Sequence, residues 1–202
     1  MTSEGKTLPI SELKVYGKIM TRVKHRIEEA RGLVYAAKDE RDAVYAAIQL
    51  RLAIEEVAVA SFVGNRPLLE NLNMNLAKVS WKTSRGQLKQ LNSRYWPEGI
   101  RQIRHEDGSI EWESVEDGIP ESEVPEIWGR LSSLLHARSP FTDPIDWPRA
   151  IQYQKILVKR LISTFSEHIL HLHDSDLLVC GQFWADPPNF YIFEAVDADP
   201  KC

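Results

Sequence analysis

Residues 42–63, DAVYAAIQLRLAIEEVAVASFV, are the stretch that decides the fold. Apolar side chains occur almost all round a helix drawn through this stretch, which is typical of a helix packed on several sides. Gly64 and Pro67 follow it, and both residue types commonly end helices. We therefore predict a central core helix over residues 42–63.

Further helices are predicted on both sides of this core helix. In residues 11–33, apolar side chains recur at steps of three and four residues with basic side chains between them, which predicts an amphipathic helix with a basic outer face. Similar stripes, with Pro125 placed early in its helix, predict the other helices. These are expected at residues 67–81, 84–91, 124–137 and 146–173.

Two short β-hairpins complete the expected fold. Asp107 and Gly108 lie between two short alternating runs, which is a strong hairpin signal and predicts a hairpin at residues 100–114. Two apolar runs flank a turn-rich segment and predict a second hairpin at residues 177–196. The predicted fold class is thus mainly α. Residues 1–174 would form a helical bundle with an inserted hairpin, and the hairpin of residues 175–202 would pack on that same domain.

Composition indicates a globular protein outside the membrane. The 202 residues are 43% hydrophobic and 27% charged, and no run approaches the roughly 18 apolar residues of a membrane span. Cys180 and Cys202 are interpreted as free thiols, since a bridge would have to fix the last residue, and chain ends are usually mobile. We expect a cytoplasmic protein with no membrane contact.

The charge is distributed unevenly along the chain. The net charge is −4, but residues 1–110 hold 18 Lys and Arg against 13 Asp and Glu, whereas residues 111–202 hold 7 against 16. The overall value argues against a protein that coats nucleic acid with a broad positive field. The N-terminal half is the better candidate for contact with an anionic partner.

One segment carries a recognisable motif. Within residues 127–141, Arg130, Ser133, His136 and Arg138 stand off the apolar stripe of the predicted helix. The spacing of Arg130 and His136 resembles the Arg-x(4 to 6)-His signature of the HEPN superfamily. These helical-bundle proteins include metal-independent endoribonucleases of toxin–antitoxin and antiviral systems.

The resemblance implies a role for each residue of this motif. His136 would transfer protons at the cleaved ribose and phosphate, Arg130 would hold the phosphate, and Arg138 would add a contact. Imidazole and guanidinium groups suit these tasks, because histidine exchanges protons near neutral pH and a guanidinium can grip two phosphate oxygens. No cofactor or metal is needed for such chemistry, and none is predicted.

Helix geometry places a condition on this site. A spacing of six residues puts Arg130 and His136 about 120° apart on an ideal helix, so they share no face unless the helix end unwinds or a second subunit contributes. The resemblance also implies a homodimer in which two motifs meet. In the alternative interpretation His136 caps the last turn, Arg130 pairs with an acidic neighbour, and neither takes part in chemistry.

Arg51 and Glu55 lie four residues apart on the core helix. They are expected to form an ion pair within the helix, which lowers the cost of burying either charge. The functional alternative is that one of them orients Arg130 and His136.

Residues 78–104 form the best candidate surface for RNA. Basic side chains alternate there with Trp81, Tyr95 and Trp96, and basic groups neutralise phosphates while rings stack on unpaired bases. The alternative places these aromatic residues in the core beneath a solvated basic face. The basic residues are Lys78, Lys82, Arg85, Lys89, Arg94, Arg101 and Arg104.

A metal site at His168, His171 and His173 is disfavoured, because leucines interleave with them at the end of the predicted helix. The hypothesis from sequence is a HEPN-like metal-independent ribonuclease or RNA-binding factor in host defence or growth control. It would be a homodimer, with an antitoxin or a defence component as a further protein partner. The alternative is a non-catalytic module of the same fold that binds a protein or a nucleic acid.

Overall fold

The structure is a computed structural model that describes residues 10–66, 81–108, 110–136, 143–172 and 177–194. Its helices are α1 (Ile10–Ala36), α2 (Glu40–Gly64), α3 (Trp81–Leu91), α4 (Val124–Ser133) and α5 (Trp147–Ser166). The strands are β1 (Glu98–Arg104), β2 (Ile110–Ser114), β3 (Glu167–His171), β4 (Leu177–Gln182) and β5 (Asn189–Glu194). The prediction of a mainly α fold is confirmed, while most of the helix predicted at residues 67–81 lies outside the described residues.

Helices α1 and α2 form an antiparallel pair joined by residues 37–39. Asp39 caps α2, since its side chain accepts hydrogen bonds from the backbone N–H groups of Arg41 and Asp42. Small side chains on the buried face of α2, six of them alanines, let the two helices approach closely. The core helix predicted at residues 42–63 is therefore confirmed with an extension of a turn or less at either end.

Charged hydrogen bonds made by Arg26 join α1 to α2. The guanidinium of Arg26 donates to Gln49 Oε1 at 2.9 Å and to both carboxylate oxygens of Glu56, at 3.0 and 3.1 Å. Because Arg26 is on α1 and both acceptors are on α2, these contacts hold the register of the helical pair.

The strands form one antiparallel sheet in the order β2-β1-β3-β4-β5. Both predicted hairpins are present, as β1 with β2 and as β4 with β5. Gly108 has a φ of 84° in the first turn, which is the backbone conformation expected of the Asp-Gly pair. Strand β3 lies between the hairpins and joins them, so they are parts of a single sheet.

Strand β3 corrects the prediction of one helix from residue 146 to residue 173. Helix α5 ends at Ser166, and the backbone of Glu167 is already extended, with φ −131° and ψ 132°. The apolar residues that follow fit the spacing of a helix and also that of a strand. His168, Leu170 and Leu172 are buried at alternate positions, as in a strand. Five residue pairs with β4 then favour the strand, so tertiary pairing overrides the helical pattern.

Strand β1 leaves the plane of the sheet after Gly99. It pairs with β3 only through Glu98 and Gly99, and from Ile100 onwards it pairs with β2. A Cβ atom on Gly99 would lie 2.9 Å from the backbone of Thr164, so the close approach of β1 to α5 requires glycine here. The β1–β2 hairpin therefore curls over the sheet.

The two faces of the sheet have different surroundings. Phe190 of β5 packs against Tyr16 and Gly17 of α1, so its face of the sheet covers the helices. Tyr191 and Phe193, at alternate positions of β5, lie on the outer face and are exposed. There the ring of Phe193 meets that of Trp112 from β2, with 6.4 Å between the centroids, because the β1–β2 hairpin curls across.

Candidate functional site

Arg130 stands on the exposed face of α4. The opposite face buries Val124, Ile127 and Leu131 in the core, which leaves the Arg130 side chain 60% exposed. Its Nε lies 3.2 Å from Glu126 Oε1, one helical turn away. The acidic neighbour expected in the alternative interpretation is therefore present.

Arg130 also lies over a tyrosine of α5. Its guanidinium carbon is 5.2 Å from the centre of the Tyr153 ring, which is within the range of a cation–π contact. Burial raises the pKa of Tyr153, and the charge of Arg130 partly opposes this. Together with Glu123 and Arg160, these residues line a small cleft of about 170 Å³.

His136 lies beyond the end of α4. The helix ends at Ser133, which is earlier than the predicted residue 137, and Leu134 is its C-cap. The helix thus ends before His136, which is one of the two conditions that the six-residue spacing allowed, but the motif residues do not come together in one cleft. Arg130 lines the small cleft beside Tyr153, whereas His136 lines a different one near the start of α2.

The cleft that contains His136 is open and has a volume of about 450 Å³. It lies where the start of α2 meets the end of α4 and the start of α5, and we call it the His136 cleft. Its volume is within the usual range for small-ligand sites, about 300 to 1,000 Å³. It is lined by Glu40, Arg41, Val44, Tyr45, Leu134, His136, Ile145 and Trp147.

The polar groups of the His136 cleft come from the first turns of α2. Arg41 uses Nε and Nη2 to bind Asp39 Oδ2, at 3.0 and 2.7 Å, so Nη1 stays outside this pair. Tyr45 is 57% exposed although it lies on the most apolar helix. Trp147 begins α5 on the opposite wall, directly after the capping residue Asp146.

Arg41, Tyr45 and Trp147 were absent from the sequence-based candidates. The feature that points to this cleft is the exposure of Tyr45 on α2, a helix whose other aromatic residue, Phe62, is buried. Sequence alone does not supply that exposure, because the helical pattern of α2 is apolar on all sides.

Arg51 and Glu55 form the ion pair expected from their spacing, with 2.9 Å between Nε and Oε1. They also contact α4 through Trp128, whose Nε1 donates to Glu55 Oε1 at 2.8 Å. The guanidinium of Arg51 lies 4.6 Å from a Trp128 ring centre. The pair thus positions Trp128, two residues before Arg130.

Three of the five basic side chains of residues 78–104 that the structure describes are paired with acidic residues. Glu121 pairs with Arg85 and, at 2.7 Å, with Lys89, while Arg94 pairs with Glu98 at 2.8 Å. Burial alone would raise the pKa of Glu121, but the hydrogen bonds from Lys89 and Tyr95 bring it below its usual range.

The aromatic residues of the basic segment do not form a stacking surface. Tyr95 and Trp96 are buried, and each is held by a hydrogen bond, to Glu121 at 3.0 Å and to the carbonyl of Ile119 at 2.9 Å. The hypothesis that these two rings stack on bases is therefore wrong, because they belong to the core. The side chains of Trp81 and Lys82, and the whole of Lys78 and Arg138, lie outside the described residues.

Of the three histidines weighed for a metal site, His168 and His171 lie on strand β3, and His173 lies outside the described residues. His168 is fully buried, and burial lowers its pKa to about 4. Within the described ranges, no three His, Cys, Asp or Glu side chains are grouped so that they could hold a metal ion. Cys180 is a free thiol, and burial raises its pKa to about 11.

Comparison with known proteins finds no matching family model, no matching curated protein and no matching solved structure. The resemblance to the HEPN superfamily therefore rests on the residues of this chain alone. None of the described helices is both long enough and apolar enough to cross a membrane.

Proposed function

We propose that this protein binds RNA at the His136 cleft and cleaves it there without a metal, as a HEPN-like ribonuclease of host defence or growth control. One observation carries the proposal. A single open cleft brings together an exposed histidine, the guanidinium of Arg41 and the rings of Tyr45 and Trp147. These are groups for proton transfer, for phosphate binding and for base stacking, respectively.

The cleavage step follows from this set of groups. Neutral His136 takes the proton from a ribose 2′-hydroxyl, whose oxygen attacks the adjacent phosphorus. The bond from phosphorus to the 5′-oxygen breaks, and the imidazolium returns the proton to that oxygen. The products are a 2′,3′-cyclic phosphate and a 5′-hydroxyl, with Arg41 holding the charge that develops on the phosphate.

Arg130 enters this proposal in a different way from Arg41. It lines a separate cleft on the same chain, so it contacts the same phosphate only if a second subunit places its own Arg130 at the His136 cleft. A homodimer satisfies this condition. Within one subunit, the phosphate contact belongs to Arg41.

The proposal is tested by incubating purified protein with total RNA and with tRNA in EDTA. Wild type is expected to cleave and to leave cyclic phosphate ends, while His136→Ala is expected to be inactive. His25→Ala is the matched control, since His25 is an exposed histidine of α1 and its side chain is 70% accessible. Circular dichroism confirms that all three proteins are folded.

Two results would contradict the ribonuclease. Equal cleavage by wild type and His136→Ala would show that the cleavage does not depend on His136, and no cleavage by any folded variant would remove the catalytic claim. RNA binding measured on the same samples then decides whether a binding factor remains.

A second candidate is a non-catalytic interaction module that binds a partner protein. The outer face of the sheet favours it, because Trp112, Tyr191 and Phe193 are 44%, 45% and 46% exposed and the ring of Phe193 adjoins the other two. Exposed neighbouring aromatic side chains are typical of protein interfaces. This module would retain its function in His136→Ala and lose it in Phe193→Ser.

A further inference from the structure

Glu40 is a charged group in the His136 cleft that the cleavage step does not use. It lies in the first turn of α2, beside Arg41, and its exposed side chain lines the same cleft as both aromatic rings. Among the described residues its carboxylate has no hydrogen-bond or ion-pair partner. This carboxylate is free to accept hydrogen bonds from a ligand.

An ionised carboxylate selects among bases by its chemistry, since both of its oxygens only accept hydrogen bonds. Guanine presents two adjacent donors, N1–H and the N2 amino group, which match two carboxylate oxygens. Adenine and cytosine each offer one amino group beside a ring acceptor. Uracil offers one N–H between two carbonyl oxygens, which repel a carboxylate.

The shape of the cleft favours an unpaired base over a paired one. Its volume of about 450 Å³ accommodates one nucleotide, and its two rings, Tyr45 and Trp147, come from separate helices. A base in a duplex has its Watson–Crick edge occupied and its faces stacked, so neither its edge nor its faces are available. Only an unpaired base can use both Glu40 and the rings.

We propose that the His136 cleft recognises an unpaired guanine in single-stranded RNA, with Glu40 as the residue that determines specificity. The inference rests on the function proposed above and adds the identity of the base. Glu40 accepts from N1–H and from the N2 amino group, and Tyr45 and Trp147 pack against the base. Arg41 contacts the neighbouring phosphate, and its positive charge offsets the repulsion between Glu40 and that phosphate.

The test uses labelled nine-residue oligouridylates that differ only in the central base. The central sugar is 2′-deoxy, which removes the attacking hydroxyl and prevents cleavage at that position during the measurement. Fluorescence anisotropy gives the dissociation constant for guanine, inosine, 7-deazaguanine, adenine, cytosine and uracil. Inosine lacks only the N2 amino group, and 7-deazaguanine keeps the whole Watson–Crick edge.

We expect the wild-type protein to bind the guanine oligonucleotide about tenfold more tightly than the uracil one, as for other two-point base contacts. The affinity of the inosine oligonucleotide should lie between those of the guanine and uracil ones, and the 7-deazaguanine oligonucleotide should bind as tightly as the guanine one. The same guanine paired within a hairpin stem should lose the advantage. Glu40→Gln should reduce the preference to less than about twofold, because the amide keeps only one acceptor oxygen.

Glu106→Gln is the matched control. Glu106 is an exposed glutamate in the turn of the β1–β2 hairpin, away from the cleft, and its substitution should leave the preference intact. Equal affinity of wild type for all central bases, or a preference that survives Glu40→Gln, would overturn the guanine assignment while RNA binding stands. Absence of binding to every oligonucleotide would instead overturn the RNA-binding function, and this inference with it.

Discussion

His168 lies fully buried against the rings of Tyr16, Phe165, Phe183 and Phe190. Its Nδ1 is 3.2 Å from the carbonyl oxygen of Phe165, which can only accept, so Nδ1 carries the proton of the neutral ring. Nε2 then accepts from the Tyr16 hydroxyl at 2.9 Å. Both ring nitrogens are satisfied by neutral imidazole, and no carboxylate of the described residues pairs with this ring.

Acid should destabilise the protein through His168. Burial lowers its pKa from 6.5 to about 4 in the folded state, so between these values the unfolded chain binds the proton more readily. The stabilisation is complete above pH 6.5 and is lost as the pH falls towards 4, by an amount on the order of 3 kcal/mol. Urea unfolding at pH 7.5, 5.5 and 4 measures this loss.

The proton itself can be followed by NMR. The chemical shifts of the His168 ring in the folded protein should stay constant around pH 6 and change only near pH 4. A normal titration near pH 6.5 would show that the ring is accessible to water and would refute the linkage.

Gly181 makes the site of His168 possible. It faces His168 across the β3–β4 pair, and a Cβ atom on it would lie 2.6 Å from His168 Nε2. We expect Gly181→Ala to cost about 1 to 3 kcal/mol, because a filled core tolerates no added methyl group. Gly86→Ala is the control, since Gly86 lies in α3 with no atom within 4 Å of the added Cβ, and this substitution should stabilise the helix slightly. Thermal unfolding of both variants compares them, and equal midpoints would contradict the packing argument.

At the scale of elements, the contact between α2 and α4 depends on Trp128. Trp128→Phe removes the donor to Glu55 but keeps a ring beneath Arg51. We expect a loss of about 1 to 2 kcal/mol, since the half-buried carboxylate loses a charged hydrogen bond. The effect should shrink in a Glu55→Ala background, as measured by a double-mutant cycle in urea. A cost that is the same in both backgrounds would show that the Trp128–Glu55 bond contributes nothing.

The accuracy of sequence-based prediction differed between elements for physical reasons. Helix α2 and the Asp107–Gly108 hairpin are decided by local patterns, and both were predicted close to their observed bounds. The end of α5 is decided by pairing with β4, which lies outside any local window, so residues 167–171 were placed in a helix. The same limit applies to the site: Arg51 and Glu55 are neighbours on one helix, whereas Arg41, His136 and Trp147 come together only through the fold.

At the scale of the whole molecule, the separation of Arg130 from the His136 cleft leads to a test of the homodimer. If Arg130 of one subunit acts at the cleft of the other, Arg130→Ala and His136→Ala should each be inactive alone. Mixing them after denaturation and refolding should restore about a quarter of wild-type cleavage, because half the dimers are mixed and each has one intact site of two. Arg41→Ala mixed with His136→Ala should stay inactive, since both changes fall in one cleft. No recovery in the first mixture would exclude a site shared between subunits.

The position of β3 between two hairpins also sets the order in which the molecule can be assembled during synthesis. The β1–β2 hairpin is local and can form before β3 is synthesised, but β1 must wait for residues 168 and 169 before its other edge is paired. Until β3 and β5 have been added, α1 lacks the contacts that His168 and Phe190 make with Tyr16, which the finished protein buries completely. Nascent chains paused before β3 should therefore leave this face of α1 exposed and be the form on which chaperones act.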